Sequence, residues 1–122
     1  MADILRILYV DDEPSLLGIA KAFLEKTGNY SITTLESATA ALERLKLEQY
    51  DAIISDYQMP DMNGIEFLKS VRKSGNSSPF IIFTGRGREE VVVDAINNGV
   101  DFYLQKGGDP RAQFAELSHK IY

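Results

Sequence analysis

Short apolar runs alternate with amphipathic segments along the whole chain. The runs are rich in Ile, Val, Phe and Tyr, which favour strands, and glycine, proline or polar residues separate each run from the next segment. The pattern predicts five strands: Ile4–Val10, Tyr30–Leu35, Ala52–Ser55, "PFIIFT" at 79–84 and "DFYLQ" at 101–105.

The segments between these runs carry apolar residues at the spacing of one helical face. In the first segment, for example, Leu17, Ala20 and Leu24 recur at intervals of three and four. The segments predict five helices: Ser15–Lys26, Ser37–Glu48, Ile65–Lys73, Glu89–Asn98 and a last helix that begins at Pro110 after the N-cap Asp109.

Strict alternation of strand and helix predicts an α/β fold of the (βα)5 type. Such a chain forms a doubly wound, mostly parallel sheet with helices on both faces, which makes three layers. The third to fifth strands are continuously apolar, as is typical of strands covered on both faces. A length of 122 residues suits a single domain, and we expect that domain to span residues 1–122.

Composition excludes several classes of function. A net charge of −5 argues against direct nucleic-acid binding, because phosphate contacts require a basic surface. Without cysteine there is no disulfide and no thiolate chemistry, and the single histidine, His119, cannot form a histidine metal cluster. No apolar run approaches the roughly 18 residues of a membrane span, and no signal peptide is evident. We therefore expect a cytoplasmic protein.

Chemically competent side chains stand at the carboxyl ends of four of the five predicted strands. They are Asp11, Asp12 and Glu13 after the first strand, Asp56 after the third, Thr84 at the end of the fourth and Lys106 after the fifth. In a doubly wound sheet the carboxyl ends of the strands form the ligand-binding edge. We therefore expect these side chains to converge.

The chemistry of such a group follows from its charges. Two or three carboxylates suit Mg²⁺, a hard ion with oxygen ligands. A carboxylate beside Mg²⁺ and a lysine can attack a phosphoryl group, because the cations neutralise charge on its oxygens. Taken singly, Asp12 and Glu13 before Pro14 would also suit the start of a helix, but their joint occurrence with Asp56, Thr84 and Lys106 favours a site.

The motifs resemble those of receiver domains of two-component response regulators, over essentially the whole chain. They are "YVDDEP" after the first strand, "SDYQMPDMNG" around Asp56, "FTG" at Thr84 and "YLQK" ending in Lys106. The resemblance implies a flavodoxin-like sheet with strand order 2-1-3-4-5. It also implies a phosphorylation-dependent signalling module that catalyses only its own phosphorylation and dephosphorylation.

The resemblance also implies a role for each site residue. Asp56 would accept a phosphoryl group from a phosphohistidine of a sensor histidine kinase or a phosphotransfer protein. Mg²⁺ would be held by Asp12 directly, by Asp11 mainly through water, by Asp56 and by the backbone carbonyl of Gln58. Thr84 would be the switch hydroxyl and Lys106 the lysine that pairs with the phosphoryl group. Tyr103 would be the aromatic switch that turns inward when Thr84 moves towards that group.

Two features depart from the family or modify its site. Lys106 is usually followed by a proline with a cis peptide bond, but here "KGGDP" follows. A cis bond without proline costs about 2.5–4 kcal/mol, so we expect Lys106–Gly107 to be trans and the loop to be looser. Arg86 and Gln58 occupy positions that tune phosphoryl lifetime in the family, and we hypothesise that Arg86 affects hydrolysis.

The remaining expectations concern partners and alternatives. Three adjacent valines at 91–93 cannot all face the sheet, so the fourth helix is a candidate partner surface. The chain stops at "HKIY" without a helix-ending residue, which favours an N-terminal domain cut from a longer protein. We expect the downstream partner to be either a separate protein effector or a C-terminal output domain. Two alternatives stay open: a phosphorylation-independent interaction module, and a haloacid-dehalogenase-like phosphatase with Asp11 as nucleophile and Glu13 as acid/base.

Overall fold

Five parallel strands form one sheet in the order β2-β1-β3-β4-β5. The structure is a computed structural model, and it describes residues 4–27, 30–85 and 89–105. The strands are β1 (Leu5–Val10), β2 (Tyr30–Leu35), β3 (Ala52–Ser55), β4 (Phe80–Thr84) and β5 (Phe102–Gln105). The described helices are α1 (Pro14–Thr27), α2 (Ala38–Leu47), α3 (Gly64–Lys73) and α4 (Glu89–Asn97). The (βα)5 alternation and the predicted strand order are confirmed as far as β5, and the helix predicted from Pro110 lies outside the described residues.

The register of the sheet places the strand ends side by side. Val10 of β1 pairs with Leu35 of β2 on one side and with Ser55 of β3 on the other. On β4, Thr84 pairs with Gln105 of β5. The residues that follow β1 and β3 therefore leave the sheet next to each other, which is the geometric condition for a shared site.

Two apolar cores lie on the two faces of the sheet, because successive side chains of a strand point to opposite sides. Leu8 and Val10 of β1 pack into the core that α2, α3 and α4 cover. Ile7 and Tyr9 pack into the core that α1 covers. No described helix is long and apolar enough to cross a membrane.

The expectation that the third to fifth strands are all buried is wrong for the fifth. Strands β3 and β4 are buried along their whole length. Strand β5 lies at the edge of the sheet and pairs with β4 alone, so its side chains are only partly covered. Phe102 is 39% exposed. Apolar composition predicted a strand at this position but could not distinguish an edge strand from a central one.

Local capping explains where the helices begin and end. The Ser37 side chain accepts a hydrogen bond from the Ala40 amide at 3.1 Å, so Ser37 is the N-cap of α2 rather than its first residue. Asn63 and Glu66 form a capping box at the start of α3. After α4, Gly99 adopts a φ of +88°, which glycine reaches without steric penalty.

The amino edge of the sheet, where the strands begin, is held by charge pairs and hydrogen bonds. The Arg72 guanidinium donates to the carbonyls of Asn76, Ser78 and Gly99 at 2.8–3.1 Å and to the Asp101 carboxylate at 3.2 Å. This single side chain joins the end of α3 to the segments that enter β4 and β5. Each of its contacts pairs a cation with a carbonyl or a carboxylate, so the arrangement favours stability.

A second arginine organises the other half of the amino edge. The backbone amide of Arg6 donates to the Asp51 carboxylate, and the Asp51 amide donates to the Arg6 carbonyl, both at 2.7 Å. The Arg6 guanidinium lies 5.1 Å from the centre of the Tyr50 ring and 3.3 Å from the Glu48 carboxylate. The Tyr50 hydroxyl hydrogen bond, together with Arg6 and Arg44, lowers the pKa of Glu48.

Candidate functional site

Three aspartates meet at the carboxyl edge of the sheet, where the strands end. One carboxylate oxygen each from Asp11, Asp12 and Asp56 lies within 4.8 Å of the other two. The pairing of Val10 with Ser55 brings them together, since Asp11 and Asp56 are the next residues along neighbouring strands. Negative charges this close repel each other strongly unless a cation or a proton intervenes. The cluster has the donor set and the spacing that suit a hard divalent ion.

Backbone hydrogen bonds fix two of these aspartates. Asp11 is fully buried, and one of its carboxylate oxygens accepts from the Glu13 amide at 3.0 Å. Asp56 is 7% exposed, and one of its carboxylate oxygens accepts from the Tyr57 amide at 2.7 Å. Asp12 is half-buried. The two buried carboxylates are therefore oriented by their own turns, before any ligand contributes.

A small open cleft leads to Asp56. Its volume is about 260 Å³, and it is lined by Asp12, Glu13, Asp56, Gln58, Met59 and Pro60. A larger groove of about 1,010 Å³ runs between α2 and α3, but it shares no lining residue with the cluster of aspartates. The smaller cleft is therefore the candidate functional site, because it alone of the two combines access with converging acids.

Thr84 and Tyr103 flank the cluster on the neighbouring strands. Thr84 is the last residue of β4 and is fully buried. Tyr103 of β5 packs against the core under α2, α3 and α4, and its buried hydroxyl has no hydrogen-bond partner among the residues that the structure describes. Burial raises the pKa of Tyr103, and the nearby Tyr57 and Asp56 raise it further. The Tyr103 ring is thus directed inward, within electrostatic reach of Asp56. Lys106, Arg86 and His119 lie outside the described residues.

Sequence reasoning missed Tyr9. This residue of β1 is 1% exposed, and within the described part of the chain its buried hydroxyl has no hydrogen-bond partner. Burial raises its pKa well above the ordinary value, and the charges of Asp11 and Asp56 raise it further. A tyrosine two positions before Asp11, in a strand otherwise suited to Ile or Val, is the signal that was available.

Gly64, at the start of α3, approaches the backbone of Asp56 too closely for any side chain. A β-carbon at this position would lie 2.3 Å from the Asp56 carbonyl oxygen, and the Gly64 amide donates to the Tyr57 carbonyl at 2.7 Å. In the sequence this glycine stands only as the last residue of the motif "SDYQMPDMNG". In the structure it brings the start of α3 against the backbone of the central aspartate.

The valines of α4 divide as their helical spacing requires. Val91 and Val92 are half-buried, whereas Val93 is 53% exposed and Ile96 is 62% exposed. An apolar strip therefore remains on the outside of α4. Its use as a partner surface stays a prediction.

Comparison with known proteins decides the family. The family model described as the response regulator receiver domain matches residues 7–118. This chain belongs to the response regulator receiver family. Membership supports two-component signalling as its general role and the flavodoxin-like fold as its architecture. The phosphatase alternative needs Asp11 as an accessible nucleophile. Asp11 is fully buried, whereas Asp56 lines the cleft, so the geometry disfavours this alternative.

Named relatives agree with this assignment. Response regulator Rre1 of Synechocystis sp. is 33% identical over 112 residues, which are 90% of this chain and 48% of the relative. Response regulator SaeR of Staphylococcus aureus is 31% identical over 115 residues, which are 94% of this chain and 50% of the relative. The receiver domain described here thus spans about half the length of these curated relatives.

Solved structures share the whole described fold. A CheY-like receiver domain protein from Methanospirillum hungatei superposes with a TM-score of 0.86 at 30% identity, covering 98% of this chain and 94% of that one. Chemotaxis response regulator CheY4 of Vibrio cholerae gives a TM-score of 0.87 at 25% identity, covering 98% and 100% of the two chains. The predicted family and fold are confirmed, while the roles of the individual site residues stay predictions.

Proposed function

We propose that this receiver domain is a phosphorylation-dependent switch that accepts a phosphoryl group on Asp56. The donor would be a phosphohistidine on a sensor histidine kinase or a phosphotransfer protein. The observation that carries the proposal is the cluster of Asp11, Asp12 and Asp56, in which Asp56 also opens into the cleft. Asp56 thereby combines a nucleophilic oxygen with access from solvent and with two further carboxylates to hold a cation.

The residues present fit Mg²⁺. Asp12, half-buried and lining the cleft, would bind it directly, and Asp11 would bind mainly through water. Asp56 and the backbone carbonyl of Gln58, which also lines the cleft, complete the proposed set. All of these donors are oxygens, the ligands this ion takes while keeping several waters. When bound, Mg²⁺ neutralises charge on the phosphoryl oxygens and on the attacking carboxylate.

The chain's own residues would act on the phosphoryl group in one displacement. A carboxylate oxygen of Asp56 forms the new bond to phosphorus as the bond from phosphorus to the donor histidine breaks, and the imidazole leaves with the electron pair. The Thr84 hydroxyl would donate a hydrogen bond to one phosphoryl oxygen, and Lys106 would pair with another. Hydrolysis of the acyl phosphate later returns Asp56 to its free form.

The output of the switch would pass through α4 and β5. The Tyr103 hydroxyl is buried and has no hydrogen-bond partner among the described residues, and such a group typically costs about 1–3 kcal/mol. We propose that this cost makes the inward position of Tyr103 sensitive to a change at Thr84, which would alter its population. On this proposal, phosphorylation biases a two-state element built from α4, β5 and the segment after β5.

The proposal makes this domain a signalling module without a turnover substrate. Its downstream partner would be a protein effector or a C-terminal output domain. We further propose a cytoplasmic location and no direct contact with nucleic acid, in keeping with the net charge of −5.

The test is the intact mass after incubation with acetyl phosphate, with and without Mg²⁺. Wild type should gain one phosphoryl group only when Mg²⁺ is present. Asp56→Asn should remain unmodified, whereas Asp11→Asn keeps the acceptor and should react more slowly. If wild type gains no adduct even in short incubations, and does not bind beryllofluoride, the phosphorylation-independent module replaces this proposal.

A further inference from the structure

Hydrogen bonds between Asp61 and Thr39 join the loop after β3 to the start of α2. The Asp61 carboxylate accepts a hydrogen bond from the Thr39 amide at 3.0 Å and a second, short one from the Thr39 hydroxyl. The two residues are 22 positions apart, so the contact joins separate parts of the chain. The Thr39 hydrogen bonds also lower the pKa of Asp61. We call this pair of hydrogen bonds the Asp61–Thr39 tie.

The start of a helix is a favourable place for such a carboxylate. The first amides of α2 have no partner within the helix, and the helix dipole favours a negative charge beside them. Ser37 accepts from the Ala40 amide, and Asp61 accepts from the Thr39 amide. Two acceptors thus serve one helix start, but only Asp61 comes from the loop that borders the cleft.

The tie is linked to the cleft by a short and stiff stretch of chain. Gln58, which lines the cleft, is three residues before Asp61. Between them, Pro60 fixes its own φ and restricts the residue before it. That residue, Met59, is 7% exposed and belongs to the core under α2, α3 and α4. Few backbone torsions therefore separate the tie from the carbonyl of Gln58.

We propose that Asp61 is a positioning residue that sets the Mg²⁺ affinity of the site by holding the loop, and with it the Gln58 carbonyl, against α2. The inference rests on the proposed function, in which that carbonyl is a metal ligand. Asp61 belongs neither to the cluster of aspartates nor to the lining of the cleft, so on this proposal it would touch neither metal nor substrate. It acts like the outer groups that hold metal ligands in place by hydrogen bonds, because it orients a ligand that would otherwise move.

The chain supplies a matched control for this proposal. Asp61→Ala and Ser37→Ala each remove one acceptor from the start of α2, but Ser37 directly precedes α2 in the chain, whereas Asp61 belongs to the loop after β3. Isothermal titration of Mg²⁺ into each variant of the 122-residue chain should show binding about tenfold weaker in Asp61→Ala, since loss of a group that orients a metal ligand typically weakens binding 10- to 100-fold. Ser37→Ala should stay within about twofold of wild type. Thr39→Val, which removes only the hydroxyl, should be intermediate.

Amide hydrogen exchange without Mg²⁺ gives a second measurement that does not depend on metal. The amides of Gln58 and Met59 should exchange faster in Asp61→Ala and at the wild-type rate in Ser37→Ala. Two results would overturn the role of Asp61 and leave the proposed function intact. In the first, wild type binds Mg²⁺ and the two variants weaken that binding equally. In the second, Asp61→Ala leaves both Mg²⁺ binding and amide exchange unchanged. If wild type binds no Mg²⁺, the metal part of the proposed function fails and the inference fails with it.

Discussion

Charged side chains are arranged in opposite ways at the two edges of the sheet. At the amino edge, Arg72 pairs with Asp101, and Arg6 lies against Glu48 and the Tyr50 ring. At the carboxyl edge, three aspartates bring carboxylate oxygens within 4.8 Å of one another. Opposite charges meet where the strands begin, and like charges meet where they end.

The difference separates structural charges from functional ones. Paired charges with satisfied hydrogen bonds join loops and stabilise the fold, as Arg72 does for the segments entering β4 and β5. A cluster of like charges destabilises the empty fold, and it is retained where a ligand of opposite charge relieves it. We therefore expect substitutions at the amino edge to change stability and substitutions at the carboxyl edge to change chemistry.

The largest loss of stability should follow Arg72→Ala. This change removes hydrogen bonds to three carbonyls and the ion pair with Asp101. A hydrogen bond to a charged group contributes a net stabilisation of about 1.5–3 kcal/mol, and contacts of partly exposed groups contribute less because water replaces the lost partner. The free energy of unfolding in urea should fall by about 2–3 kcal/mol. Mg²⁺ affinity should be unchanged. The exposed neighbour Lys73→Ala is the control, and an equal effect in both variants would contradict the structural role of Arg72.

Gly64→Ala should damage both stability and chemistry, because Gly64 touches the carboxyl edge through the backbone. The added β-carbon would lie 2.3 Å from the Asp56 carbonyl oxygen, so the backbone of one of them must move. We expect a loss of about 2 kcal/mol in unfolding free energy and slower phosphorylation by acetyl phosphate. Gly18→Ala is the matched control, since no atom of the described residues lies within 4 Å of the added β-carbon and Gly18 is exposed. That variant should gain about 0.5–1 kcal/mol. Unimpaired phosphorylation of Gly64→Ala would refute the positioning of Asp56 by this contact.

Tyr9→Phe should raise stability modestly, because it removes a buried hydroxyl that lies near Asp11 and Asp56 and has no hydrogen-bond partner among the described residues. At pH 8 the gain should be about 1 kcal/mol. Burial, Asp11 and Asp56 raise the pKa of Tyr9 in the folded state. As pH rises, Tyr9 therefore loses its proton in the unfolded state before it does so in the folded state. The wild-type protein loses stability above the unfolded-state pKa of tyrosine, about 10. The advantage of Tyr9→Phe should widen in urea titrations above pH 10. A variant less stable than wild type at pH 8 would show that the hydroxyl has a structural partner.

Sequence patterns were sufficient for the fold and for the composition of the acidic cluster. Apolar runs and their spacing predicted all five strands, because strand-forming apolar residues mark the buried strands and the partly exposed edge strands alike. The strand order 2-1-3-4-5 came from the family resemblance and is confirmed. Asp11, Asp12 and Asp56 were predicted together because each follows a strand that ends at the same edge.

Contacts between distant segments could not be predicted in the same way. The Asp61–Thr39 tie joins a loop to a helix 22 positions away, and neither residue type is unusual where it stands. The close approach of Gly64 to Asp56 depends on how α3 enters the sheet, which apolar periodicity does not determine. The partial exposure of β5 depends on its edge position, and composition alone misread it.

The contrast between the two edges of the sheet is tested most directly by the stability of Asp12→Asn with and without Mg²⁺, measured by urea unfolding against wild type. Without Mg²⁺ the variant should be more stable than wild type by about 1 kcal/mol, because one of three clustered negative charges is gone. At a Mg²⁺ concentration 100 times its dissociation constant, wild type should gain about 2.7 kcal/mol while the variant gains little, so that the order reverses. If Asp12→Asn is less stable without Mg²⁺ and gains as much as wild type with it, the carboxyl edge is not built to hold a cation, and the account is wrong.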